Sequence, residues 1–293
     1  MTAWTDLGGG VHVRQSRVFW MNSALLLDRE HAVLVDPGVL PSELDDLAAT
    51  VRAAGPRTVS IVFTHSHWDH VLGRPWWPEA TTVGHAQLGA ELRRDADAIL
   101  AEASGHATRT GEAWSQGFQP FEPDLVVEDK RVLARDERAV ALGPWRLMLR
   151  EARGHCDSQI TVHLEDHRLL FAADLLSDLE IPWLDRDPSH YRHTLMQIAL
   201  LVSGGRIETL VPGHGAIAHG ARESLERVRR DQRYLDAMET GVRKAHRGGL
   251  SFEETQAQLA AMDYLGKGAA YPMDDVHREN VRITWESVAR EPA

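Results

Sequence analysis

The chain has 293 residues, 43% apolar and 26% charged, an ordinary globular composition with room for one large α/β core or two modest ones. A formal net charge of -11 weighs against a protein that tracks a phosphate backbone, which needs clustered Lys and Arg, so nucleic acid is not an expected partner. The single cysteine, Cys156, precludes an intrachain disulfide; no apolar run is long enough to span a bilayer, and the opening Met1–Asp6 has neither a basic nor an apolar leader segment, so a cytoplasmic location without membrane partners is the expectation.

In chain order, Val11–Arg14, Ser23–Leu27 and Ala32–Val35 read as the opening strands of a meander, joined by polar turns such as Asp28-Arg29-Glu30. Asp36-Pro37-Gly38 stops the third strand, and Pro41-Ser42-Glu43-Leu44 begins a helix to Gly55 with Leu44, Leu47 and Val51 on one face. The β-branched run Thr58–Phe63 predicts a buried strand that delivers Thr64-His65-Ser66-His67-Trp68-Asp69-His70. Thr81–Val83 reads as a short strand and His85 to about Ala103 as a helix. Residues Ser104–Pro123 lose periodicity while carrying Trp114, Phe118 and Phe121, which predicts a lid over substrate, a partner surface, or a surface loop pinned by its aromatics. Strands resume at Asp124–Val127, Trp145–Leu149, Ile160–Leu164 and Leu169–Ala173, and this second group implies a second sheet. A helix follows from about Pro188 to Val202. From about Ala221 the chain is helical: a long helix to Gly248-Gly249, a second opened by the capping-box pattern Ser251–Glu254, and a third from Asp275 to about Arg290. Residues 1–220 are read as the catalytic domain and 221–293 as a C-terminal helical extension packed on it.

The stretch His65–His70 sets three imidazoles and a carboxylate side by side, and as mere packing each would need its own hydrogen-bond partner or solvent. Side chains two apart in an extended backbone point the same way, so His65 and His67 can hold one ion, whereas the neighbours Asp69 and His70 diverge and suit a second. Further metal-type residues end apolar runs downstream: His155 after Gly154, Asp174 after Leu169–Ala173, and His214 within Pro212-Gly213-His214-Gly215. Ile181 and Trp183 follow a candidate ligand and are expected to line the pocket, with Trp68 and Tyr191 as further substrate contacts. Asp36 reads equally as a turn residue and as an acceptor that orients the histidine cluster.

The succession HSHWDH, GH, an Asp ending an apolar strand, and PGHG resembles the metallo-β-lactamase-fold hydrolases of the HxHxDH type, over roughly residues 10–220. The resemblance implies an α/β fold, an αββα sandwich of two mixed sheets flanked by helices, here with the C-terminal helical extension. It implies two zinc ions, with iron or manganese as alternatives: His65, His67 and His155 on the first, Asp69, His70 and His214 on the second, Asp174 between them, and Asp69 and Asp174 also serving catalysis. Two such ions about 3.5–4 Å apart share a water, lower its pKa toward roughly 7 and stabilise the oxyanion formed when the resulting hydroxide attacks a carbonyl. The implied substrate is a small molecule with an ester-like bond: a lactone, thioester or β-lactam. Ser177 stands where the acyl-homoserine lactonases carry tyrosine, and Ser66 where the hydroxyacylglutathione hydrolases usually carry histidine. Persulfide dioxygenases of this fold hold one iron through residues matching His65, His155 and Asp174, which makes a mononuclear iron enzyme the alternative. A non-catalytic binding member is less expected, since all seven ligand positions are filled. Cys156 adjoins His155 where the family usually has a small hydroxyl residue. A homodimer is a further possibility left open at this level.

Overall fold

The computed structural model describes residues 3–127, 138–262 and 273–291. One sheet takes β1 (Trp4–Asp6), β2 (Val11–Gln15), β3 (Asn22–Leu27), β4 (His31–Val35), β5 (Thr58–Val62), β6 (Thr81–His85) and β7 (Leu125–Val127) in spatial as well as chain order. It is antiparallel through β4 and parallel from β4 to β7. The second takes β8 (Arg138–Leu142), β9 (Trp145–Glu151), β10 (Ile160–Leu164), β11 (Leu169–Phe171), β12 (Thr209–Val211) and β13 (Ala218–His219), with only the β11–β12 pair parallel. Both sheets are mixed, and with the flanking helices they form the αββα sandwich that the sequence implies.

The two-residue period of the strands assigns their faces. Val33 and Val35 point inward to meet Leu147, Leu149, Val162 and Phe171 between the sheets. Ala32 and Leu34 point outward against α1 (Pro41–Ala54) and α3 (Leu88–Arg109), through Leu44, Leu47, Leu88 and Leu92. Buried on both faces, these strands read as continuous apolar runs. On the far side, Leu170 and Leu210 meet α4 (Pro188–Ser203) and the C-terminal helices α5 (Gly220–Arg247), α6 (Phe252–Leu259) and α7 (Asp274–Ala289) in one shared core. The helix ends follow local chemistry. Gly55 closes α1 at φ 68°, and Ser251 and Glu254 exchange side-chain-to-backbone bonds of 3.2 and 2.8 Å at the start of α6.

Three details differ from the sequence reading. The helix expected to stop near Ala103 continues to Arg109, because Ala103 and Ala107 carry its buried stripe onward. The aperiodic loop therefore shrinks to residues 110–123. Its aromatics pack on the core, with the Phe121 ring 4.8 Å from Phe63 and Trp114 5.8 Å from Trp76, so this loop is pinned by its side chains. Finally, Leu125–Val127 was expected in the second sheet but pairs in parallel with β6 at the edge of the first. No helix among the described residues is long and apolar enough to cross a membrane.

Candidate metal centre

Each candidate ligand is placed where a strand hands over to a loop. Beyond β5, the Thr64 N–H donates to Asp36 Oδ1 at 2.7 Å, which turns the chain so that His65 faces inward. His67 caps the one-turn helix α2 (Trp68–Val71), which carries Asp69 and His70. His155 follows Gly154 at φ 131°, where a Cβ would lie 2.5 Å from the Tyr191 Cα. Asp174 follows β11, and its carboxylate occupies the space that a Cβ on Gly213 would fill. His214 is stitched to the first sheet by a bridge to Met21 and by Asn22, whose side-chain amide donates to the carbonyls of Pro212 and Gly215, both at 2.9 Å.

All seven side chains converge. Their ligand atoms form two groups, His65, His67, His155 and Asp174 in one and Asp69, His70 and His214 in the other, each within 4.8 Å. Asp174 sends one oxygen toward each: Oδ2 is 3.4 Å from His65 Nε2 and 3.3 Å from His155 Nε2, while Oδ1 is 3.1 Å from His70 Nε2 and 3.5 Å from His214 Nε2. Asp69 Oδ2 lies 3.3 Å from His214 Nε2.

Four of the five imidazoles are held from behind by acceptors that place their protons on the outer nitrogen. His70 Nδ1 donates to Asp36 at 2.8 Å, His214 Nδ1 to the Phe19 carbonyl at 3.0 Å and His155 Nδ1 to the Trp183 carbonyl at 3.3 Å. His65 Nδ1 donates to Thr64 Oγ1 at 3.0 Å, a hydroxyl whose own proton goes to Asp36. In the neutral imidazole each Nε2 is thereby left as a lone pair aimed at the centre. His67 presents Nδ1 instead, 3.0 Å from His155 Nε2. The buried His65 Nε2 and Asp174 Oδ1 have no hydrogen-bond donor or acceptor to satisfy them, which is costly for polar atoms unless a cation sits between. The donor set of imidazole nitrogens and carboxylate oxygens fits divalent metal.

The electrostatics divide the centre. Burial, reinforced by the neighbouring His70, pushes His65 down to about 3, and burial with His155 and His65 nearby holds His67 well below its ordinary value. Burial acts the same way on His70, but Asp174, Asp69 and Asp36 outweigh it and raise that imidazole well above the usual range. For His214, burial is likewise outweighed, by Glu180, Asp174 and Asp69, and the value rises to about 10. Asp174 is pulled well below the carboxylate range by His70, His214 and His65, against the opposing effect of its burial.

Above the centre is a cavity of about 440 Å³, walled by Phe19, Trp68, Ile99, Ile181, Trp183, Met273 and Val276. Trp68, Ile181 and Trp183 were anticipated from the sequence. Tyr191 was too, but it does not line the cavity: it is 1% exposed and packs in the core against the glycine before His155. No residue of the 110–123 loop lines the cavity, which favours the pinned surface loop over the lid among the alternatives that the sequence leaves open. Phe19, Met273 and Val276 went unrecognised; they come from a turn and from the C-terminal helices, and nothing local in the sequence marks them. Cys156 lies outside both donor groups, its sulfur 3.6 Å from Ser158 Oγ, and burial pushes its thiol far above the ordinary range.

The profile of the metallo-beta-lactamase superfamily matches residues 18–214. The acyl-coenzyme A thioesterase MBLAC2 of Gallus gallus is 28% identical over 229 residues, which cover 72% of this chain and 80% of that protein. The Homo sapiens MBLAC2 is 29% identical over 233 residues with the same coverage. Among solved structures, a metallo-beta-lactamase family protein from Thermus thermophilus superposes with a TM-score of 0.65 at 20% identity, covering 94% of each chain. The sec-alkylsulfatase Pisa1 from Pseudomonas sp. gives 0.72 at 13% identity, covering 98% of this chain but only 50% of its own, and both likenesses speak to the fold. With two sheets in the matching arrangement and a buried His/Asp cluster that can hold divalent metal, the chain belongs to the metallo-β-lactamase superfamily and carries the metal-binding centre of a hydrolase of that fold.

Proposed function

We propose that the protein is a dinuclear zinc hydrolase acting on an ester-like bond of a small molecule, with a thioester ahead of a lactone or a β-lactam. The observation that carries this reading is Asp174 directing one oxygen at each of two complete donor groups on the floor of an apolar cavity. A complete second group, Asp69, His70 and His214, supports two ions over the single-iron alternative. The preference for a thioester rests on the MBLAC2 relatives, which are acyl-coenzyme A thioesterases.

Two divalent ions bound there supply Lewis acidity and a water acidified toward neutral pH. The rest falls to the chain itself. Asp36, Thr64 and the carbonyls of Phe19 and Trp183 hold the imidazoles in their donating tautomers. Asp69 has its Oδ1 3.8 Å from His70 Nε2 and its Oδ2 toward His214, a position from which it holds the attacking water and takes its proton. The apolar wall receives the acyl part and excludes bulk water. The test is turnover by zinc-loaded and metal-stripped protein of S-butyryl-N-acetylcysteamine, a lactone, a β-lactam, an aryl ester and a phosphodiester. Zinc-dependent thioester hydrolysis is expected, reduced on the order of 10²-fold or more in Asp69→Ala. Silence across the panel, or full activity in that variant, refutes the reading.

A further inference from the structure

The C-terminal helices do more than cover the sheet. Asn280 of α7 is wholly buried, and its carboxamide reaches across to the segment that follows Asp174. Its Oδ1 accepts from the Leu184 N–H at 2.9 Å, while its Nδ2 donates to the Pro182 carbonyl at 2.6 Å and to the Tyr234 hydroxyl at 2.9 Å. That hydroxyl donates to His277 Nδ1 at 2.8 Å, and His277 Nε2 donates to the Leu259 carbonyl at 2.9 Å. The carboxamide is thus braced from α5, α6 and α7 together, with every donor facing an acceptor.

Between the two residues so held stands Trp183. Its carbonyl accepts from His155 Nδ1, and its ring lies 5.2 Å from His67 and 5.7 Å from His155. Ile181 and Trp183 line the cavity together with Met273 and Val276 of the C-terminal region, and Ile181 shares a core cluster with those two. One buried side chain thus touches neither donor group yet bonds the residues on either side of Trp183, which supplies both the acceptor behind a metal-facing imidazole and part of the apolar wall. We propose that Asn280 is a positioning residue: through Pro182 and Leu184 it fixes Trp183, and so sets the orientation of His155 and the shape of the wall that receives the apolar acyl part of the substrate. The acyl half of this inference rests on the hydrolase reading above; the His155 half does not.

The experiment uses full-length zinc-loaded protein and three variants. Asn280→Leu removes the clamp at similar size. Tyr234→Phe removes only the brace behind it, and serves if Asn280→Leu fails to fold. Ile283→Val trims a buried residue of the same helix that makes no bond to the segment. The readouts are zinc release into a chromogenic chelator, and kcat and KM for S-acyl-N-acetylcysteamine thioesters from acetyl to octanoyl. Wild type is expected to gain about fourfold in kcat/KM per methylene until the cavity is filled. Asn280→Leu is expected to release one ion on the order of tenfold faster and to lose that gradation mainly through KM, with Tyr234→Phe between the two. Ile283→Val is expected to match wild type in both. Unchanged release and unchanged chain-length profiles in the first two variants overturn the proposal, as does an equal shift in Ile283→Val. If wild type turns over no thioester, the thioester preference fails instead, and zinc release alone decides the role of Asn280.

Discussion

Asp36 is the most informative single residue to change. It follows β4 at φ 45° and accepts three bonds: from the Thr64 N–H at 2.7 Å, from the Thr64 hydroxyl, and from His70 Nδ1 at 2.8 Å. Asp36→Asn preserves its shape, and asparagine tolerates the left-handed backbone. It nevertheless puts an N–H where an acceptor was. With the amide oxygen kept on the Thr64 N–H, the new N–H faces His70 Nδ1–H, and relief requires that imidazole to carry its proton on Nε2, the atom 3.1 Å from Asp174 and 3.4 Å from His214 Nε2. Turning the amide over moves the conflict to the Thr64 N–H and displaces the turn that carries His65. Either way a metal-facing lone pair is lost or misaimed. Losing the partner that orients a ligating imidazole weakens metal binding by roughly 10–100-fold, about 1.4–2.7 kcal/mol. The fold itself loses a charge-assisted bond worth about 1.5–3 kcal/mol. Zinc affinity by competition with a chromophoric chelator measures the first, and denaturant unfolding of the metal-free protein the second. An Asp36→Asn protein that binds zinc as tightly as wild type refutes the tautomer argument.

Gly154→Ala is expected to cost about 2–4 kcal/mol, because an added Cβ has no room beside Tyr191 and φ is 131°; a thermal melt with zinc analysis checks it, and a wild-type melt counts against the close packing. Gly213→Ala displaces the Asp174 carboxylate, so zinc content is expected to drop and turnover to fall about a hundredfold while secondary structure by circular dichroism is retained. In the metal-free protein, the raised His214 and His70 stabilise the fold fully below their unfolded value near 6.5, and that contribution is lost as pH rises through their raised folded values, about 10 for His214. The lowered His65 and His67 contribute above 6.5 and lose that as pH falls through their lowered folded values, about 3 for His65. The melting temperature of metal-free protein is therefore expected to peak near pH 6.5, and a steady rise from there to pH 10 contradicts the charge assignment. At pH 7.5, zinc uptake is expected to release about two protons, chiefly from His70 and His214, as acidification of a weakly buffered solution; uptake without acid release contradicts it.

The candidate centre was legible because its residues announce themselves locally. Metal-type side chains sit at the ends of apolar runs, and the run His65–His70 is too dense in polar groups to be packing. The same local logic found α1, α4, α5, α6 and α7, whose caps and periodicity are written within a few residues. It failed where the answer lies far along the chain. Leu125–Val127 reads as a strand, but nothing in three apolar residues says which sheet it joins. The strands β1, β8 and β13 are short or lie at the sheet edges, and Arg138–Leu142 alternates too weakly to stand out. Tyr191 seemed a pocket residue by proximity to Asp174 in sequence, whereas helical phase turns it into the core. Asn280, Met273 and Val276 reach the site only because three helices fold back over the sheet, a tertiary fact with no signature of its own.

Each donor group draws on both layers. His65 and His67, like Asp69 and His70, hang from the first sheet, while His155, Asp174 and His214 hang from the second. An ion in either group is thus a rivet through the sandwich, and it cannot seat fully until the two layers have met. Contacts completed after the folding transition state retard escape from the native state more than they hasten arrival. Bound metal in this architecture acts chiefly as a brake on unfolding, and the lifetime of the closed sandwich becomes a property of the ion's own residence time.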